Sequence, residues 1–123
     1  MFTVDNYLPK VHNMEDYNCW DFIREVWLEL TDEDIGFRTP KNVTRKAMKE
    51  KFAREEADFT QIDTPIDPCI VLFKRHRVLP HVGIFVRGKV LHLPEHSHAK
   101  YEKLEIASLG FKEVGFYLCK QSS

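Results

Sequence analysis

Cys19, His81 and His92 are the residues whose types and order suit covalent chemistry. Cys19 lies in "YNCWDFIREVW", at the first turn of a sequence with helical apolar spacing. A thiol attacks only as thiolate. A helix start favours the anion through the positive end of the dipole, and a nearby imidazole favours it further. The imidazole must reach the thiol as a base, and a third polar group must orient that base. Among the 6 histidines, His81 opens an apolar run directly after Pro80, and His92 lies in the next run. A cysteine alone on an amphipathic helix is usually core packing. The two ordered histidines behind it turn the balance toward catalysis. Asp21 opposes the thiolate, but the helix end and the imidazole act at shorter range, so the expected thiol is acidic.

The elements around these residues follow from periodicity. Asn18 is a good N-cap and Asp21 sits three residues on, an acidic variant of the capping box. Phe22, Ile23, Val26, Trp27 and Leu30 then make one apolar face, which predicts a helix over 18–30. "TDEDIG" stops it. A second helix is expected over "TPKNVTRKAMKEKFAREEADF", capped by Thr39 with Pro40 in its first turn. "DTPIDP" is a turn-rich linker. The period then changes to that of strands, at 69–73, 81–86, 90–93 and 115–119. Helices followed by antiparallel strands predict an α+β domain spanning 1–123.

The hairpin between the two histidines has two possible two-residue turns. Residues two apart on a strand share a face, so His81, Gly83 and Phe85 point the same way. If Arg87 and Gly88 form the turn, His92 sits opposite Gly83. If Gly88 and Lys89 form it, His92 sits opposite Phe85. Both place His92 on the face of His81, whereas a three-residue loop places it on the other. The first register sets the imidazoles on a diagonal, ~7–8 Å between backbones. The second suits a type II′ turn but spreads the histidines.

Composition excludes several classes. The net charge of −1 gives no general pull toward nucleic acid or an anionic membrane. No apolar run approaches a membrane span, and "MFTVDNYLPK" has no basic n-region or long apolar core, so no secretory signal is expected. The 3 cysteines, Cys19, Cys69 and Cys119, form no CxxC pair and argue against a disulfide framework. Cys69 and Cys119 sit in apolar strands and read as core. "HLPEHSH" offers His92, His96 and His98 to zinc, but no cysteine or carboxylate spacing completes a recognised pattern, so no metal is expected. "KRHR" (74–77) reads as a solvated basic loop.

The ordered set "NCWDFIREVW", "HVGIFV" and "VLH" resembles the NlpC-type cysteine peptidases, a papain-like family. "CW…REVW", "VLH" and the closing "GFYLCK" are similar to versions found in bacteriophage tail-assembly proteins. The resemblance covers most of the chain and least of residues 40–60. It implies a papain-like α+β fold, with N-terminal helices packed on an antiparallel sheet. It implies that Cys19 is the nucleophile, His81 the general base and His92 the orienting residue. The family places an upstream tyrosine near the oxyanion, for which Tyr7 and Tyr17 are the candidates. It commonly has Asp before the cysteine and Gly two residues after it. Here those positions are Asn18 and Asp21, and the bulkier acidic Asp21 is expected to narrow the substrate side of the cleft or to lower thiolate stability.

The function implied is thiol hydrolysis of the peptide stems of bacterial peptidoglycan, with no cofactor. The expected setting is a phage tail or tail tip, built in the bacterial cytoplasm and acting at the cell wall. The partners would be peptidoglycan peptide and tail-tip proteins, with neither nucleic acid nor membrane. Two other functions suit the same residues. One is a non-catalytic tail component that keeps the fold. The other is an acyltransferase-like thiol enzyme.

Overall fold

A computed structural model describes residues 2–13, 17–35, 59–74 and 80–119. The chain begins with a 3-10 turn at Val4–Asn6 and continues into helix α1, Cys19–Thr31. The strands are β1 Phe59–Ile62, β2 Cys69–Lys74, β3 His81–Val86, β4 Lys89–His92, β5 Lys100–Glu102 and β6 Glu113–Cys119. A short helix α2, Leu104–Ala107, lies between β5 and β6. The strands form one antiparallel sheet in the order β1-β6-β2-β3-β4-β5.

Helix α1 forms where its cap and apolar stripe predict. The Asn18 side chain accepts from the N–H groups of Trp20 and Asp21, at 3.0 and 3.1 Å. The Asp21 carboxylate accepts in return from the Asn18 N–H at 3.2 Å, completing the capping box. The helix ends where Asp32 takes a left-handed φ of 64° and its N–H donates to the Leu28 carbonyl. Cys19, Trp20, Phe22, Ile23, Val26 and Trp27 form the buried face. Phe22, Ile23 and Val26 are fully buried, each contributing roughly 1.5–3 kcal/mol by leaving water.

Strand alternation sorts the sheet residues between two apolar layers. Ile70, Leu72, Val82, Ile84, Val86, Leu91 and Leu93 pack with α1. Val71, Phe73, Phe85 and Val90 pack on the other face with Leu104, Ala107, Phe111 and Phe116. β2 is therefore buried on both faces and reads as a continuous apolar run, "CIVLF". No described helix is long and apolar enough to cross a membrane.

An α+β architecture is what the strand and helix periods predicted, with two differences. The expectation that helices come first and strands after does not hold, because α2 lies late in the chain, between the last two strands. Two strands were also unforeseen. β1 begins at Phe59, the last residue of the expected second helix, and the rest of that helix lies outside the described residues. β5, "KYE", is only three residues long, too short for alternation to reveal. Of "KRHR", Lys74 closes β2, and 75–77 lie outside the described residues.

Candidate active site

The β3–β4 hairpin sets the histidine geometry. Arg87 and Gly88 form its turn, with φ of 52° and 85°. Positive φ at both positions is what a type I′ turn requires. The Arg87 N–H donates to the Asp67 carboxylate at 2.7 Å, and the Tyr101 hydroxyl donates to the Val86 carbonyl at 2.7 Å. These bonds hold the first of the two registers open in the sequence, with His92 opposite Gly83.

In that register the two imidazoles meet. His81 Nε2 lies 2.8 Å from His92 Nδ1. His92 Nε2 in turn lies 2.9 Å from the Glu102 carboxylate on β5. Phe111 stacks on the His81 ring with centroids 6.0 Å apart, and Phe73 lies 5.5 Å from it by the same measure. Gly83 makes this packing feasible. A Cβ there would stand 3.0 Å from the His92 Cβ and 3.0 Å from Val90 Cγ1.

The hydrogen-bond directions follow from the groups. A carboxylate only accepts, so His92 donates to Glu102 through Nε2. Burial holds the His92 pKa below its ordinary value, against the upward pull of Glu102, and Lys100 lowers it further. Neutral His92 with its proton on Nε2 leaves Nδ1 as an acceptor. His81 then donates through its Nε2, so Nδ1 is its other titratable nitrogen. Proton exchange between His81 and a thiol therefore falls to Nδ1.

Cys19 approaches from the α1 side. The pairing of β3 with β4 ends at Gly83 and His92. One residue further, the Val82 N–H donates to the Cys19 sulfur, as does the N–H of Trp20. The sulfur thus sits against the backbone of the residue that follows His81. Cys19 and Val82 belong to the α1 layer, whereas alternation turns the His81 and His92 rings to the face of Phe73 and Phe111. Sulfur and imidazoles therefore meet the start of β3 from its two faces.

The electrostatics correct one expectation. Burial pushes the Cys19 thiol up to about 12. The Val82 and Trp20 amides pull it down in part, and Asp21 pushes it further up. The thiol is 9% exposed, and loss of hydration outweighs the helix start. The resting group is a neutral S–H rather than the expected acidic thiol.

The tyrosines are also corrected. The Tyr7 hydroxyl donates to Glu29, roughly three turns along α1 from Cys19, a rise of about 15 Å. The Tyr17 hydroxyl donates to Glu25 at 2.7 Å, with Lys10 over its ring. Both rings also meet Phe22 edge-on. Tyr7 and Tyr17 therefore brace the flank of α1, and neither hydroxyl is directed to an oxyanion at Cys19. Burial and the glutamates raise both phenol pKa values. Asp21, read as lining the substrate side, closes the capping box.

The other histidines of "HLPEHSH" diverge. His98 Nδ1 is engaged by the Ala99 carbonyl at 2.8 Å, and His96 is exposed beside Glu95. Among the described residues no three His, Cys, Asp or Glu side chains converge as a metal site. Glu102 is the site member that sequence reasoning missed. The signal for it is positional: it shares a face with Lys100, which pairs with His92 across β4 and β5.

Comparison with protein-family models, curated proteins and solved structures finds no match for this chain.

Proposed function

We propose that this chain is a papain-like cysteine hydrolase of the NlpC type, acting on the peptide stems of peptidoglycan in a phage tail. The observation that carries the reading is the hydrogen-bonded run His81–His92–Glu102, which begins one residue from the amide that contacts the Cys19 sulfur. A packing role for these strands does not call for a buried polar relay.

In the proposed reaction His81 Nδ1 accepts the Cys19 proton as sulfur attacks the amide carbonyl. Coupling the two events avoids a free thiolate, which burial disfavours. The tetrahedral oxyanion is held by the Cys19 N–H at the helix start. Imidazolium His81 returns the proton to the leaving amine as the C–N bond breaks. Water, deprotonated by His81, then attacks the thioester, and Cys19 departs as the thiol. The choice of peptidoglycan and of the tail rests on the resemblance of "NCWDFIREVW", "HVGIFV", "VLH" and "GFYLCK".

The second reading is a tail component that keeps this fold without catalysis. The burial of Cys19 and the carboxylate of Asp21, where the family commonly has Gly, favour it. An acyltransferase would use the same thiol with an acceptor other than water. Digestion of purified peptidoglycan by wild type and Cys19→Ala, with mass spectrometry of the fragments, separates all three. Hydrolysed stems from wild type alone support the hydrolase. Stems transferred to an added amine indicate the acyltransferase, and intact peptidoglycan indicates the structural protein.

A further inference from the structure

We infer that Glu102 is a positioning residue that sets the tautomers of both histidines, leaving Nδ1 as the nitrogen through which His81 exchanges a proton. The inference rests on the proposed Cys19–His81 chemistry for its purpose, but its physical content is independent of any substrate.

Three observations carry it. Glu102 Oε2 lies 2.9 Å from His92 Nε2, and His92 Nδ1 lies 2.8 Å from His81 Nε2. His92 is 4% exposed, so water cannot readily replace the carboxylate as its acceptor. The third is directional: a carboxylate offers no proton. An amide or hydroxyl at that place could donate to His92 and reverse the chain, leaving a proton on His81 Nδ1. Only an acceptor at the far end makes both bonds run the useful way.

The strand pairing explains why this residue does the work. Glu102 is opposite Val90 and Lys100 is opposite His92, so Glu102 reaches His92 on the diagonal. Lys100 stands beside the same imidazole and disfavours its protonation. β5 thus supplies one group that orients His92 and one that helps to keep it neutral. Phe73, on β2 across β3, closes the ring side with an apolar face. Glu105, on α2, is exposed to solvent.

The test uses the full chain with ¹⁵N-labelled histidine. Long-range ¹H–¹⁵N spectra at pH 7.5 report which nitrogen of His81 and His92 carries the proton. Iodoacetamide labelling of Cys19 is followed at the same pH in wild type, Glu102→Gln and Glu102→Ala. Wild type should show Nε2–H on both rings. Glu102→Gln, which keeps the shape but can donate, should mix the tautomers and slow Cys19 labelling by about tenfold or more. Nδ1–H on His92 in wild type, or wild-type tautomers retained in Glu102→Gln, overturns the inference. The wild-type spectrum needs no variant to fold. Intact peptidoglycan together with the tautomer change sinks the hydrolase and leaves the relay standing. Cleaved peptidoglycan with unmoved tautomers does the reverse.

Discussion

His81 Nε2 and His92 Nδ1 lie 2.8 Å apart across two paired strands, because His92 is registered opposite Gly83. The missing side chain at position 83 leaves room for the imidazole of its cross-strand partner. The geometry of the relay therefore depends on a glycine that carries no chemistry.

Gly83→Ala should disturb the site through packing. The new Cβ would meet His92 Cβ and Val90 Cγ1 at 3.0 Å and the Leu91 carbonyl at 3.2 Å. Overpacking of this kind costs about 1–3 kcal/mol. Urea denaturation should show that loss, and the histidine ¹⁵N spectrum should change with it. An alanine variant of wild-type stability and spectrum contradicts the close approach.

Cys19 labelling should report a protonated resting thiol. Its iodoacetamide rate should climb with pH toward the raised value of about 12, with no plateau near neutrality. At neutral pH His81→Ala should slow it, because proton transfer then lacks its acceptor. Cys69, fully buried in β2, should react more slowly than Cys19 in the folded chain. A labelling plateau below pH 8.5 would show a preformed thiolate and reverse the ranking of burial over the helix start.

Removing the helix cap should separate stability from chemistry. Asn18→Ala deletes the acceptor for the Trp20 and Asp21 N–H groups, at a cost of about 1 kcal/mol. The first turn then frays and exposes the thiol. Cys19 labelling should rise while any peptidoglycan cleavage falls, since the oxyanion N–H belongs to the same turn. A parallel rise in both would argue against that N–H as the oxyanion donor.

Alkali should destabilise the fold. Cys19, Tyr7 and Tyr17 all have raised pKa values, from ordinary values of 9.0 for the thiol and 10.0 for the phenols. Above those values the unfolded chain loses protons that the folded chain keeps, so the unfolding free energy drops as pH rises. Their stabilisation is fully present below about pH 9 and declines above it. Urea midpoints at pH 8 and pH 10.5 measure the slope, which Tyr7→Phe with Tyr17→Phe should flatten. The same pair of variants should leave Cys19 labelling at pH 7.5 unchanged within about twofold, as their hydroxyls act at a distance. A large labelling loss would restore a tyrosine to the nucleophile.

Local rules in the sequence determined much of this chain. Asn18 and Asp21 specify a helix start because capping needs only a few neighbouring residues. The alternation of "HVGIFV" and "VLH" put His81 and His92 on one face in either two-residue register. Tertiary structure chose between those registers, through the turn at Arg87 and Gly88 held by Asp67 and Tyr101, residues distant in the chain. It also brought in Glu102, because a three-residue strand shows no period of its own. Tyr7 and Tyr17 were assigned away from the thiol once Glu29 and Glu25 competed for their hydroxyls. The charge state of Cys19 was reversed for a related reason. Helix-end effects can be read from neighbours in sequence, but desolvation depends on every side chain packed around the sulfur, and only the folded chain assembles them.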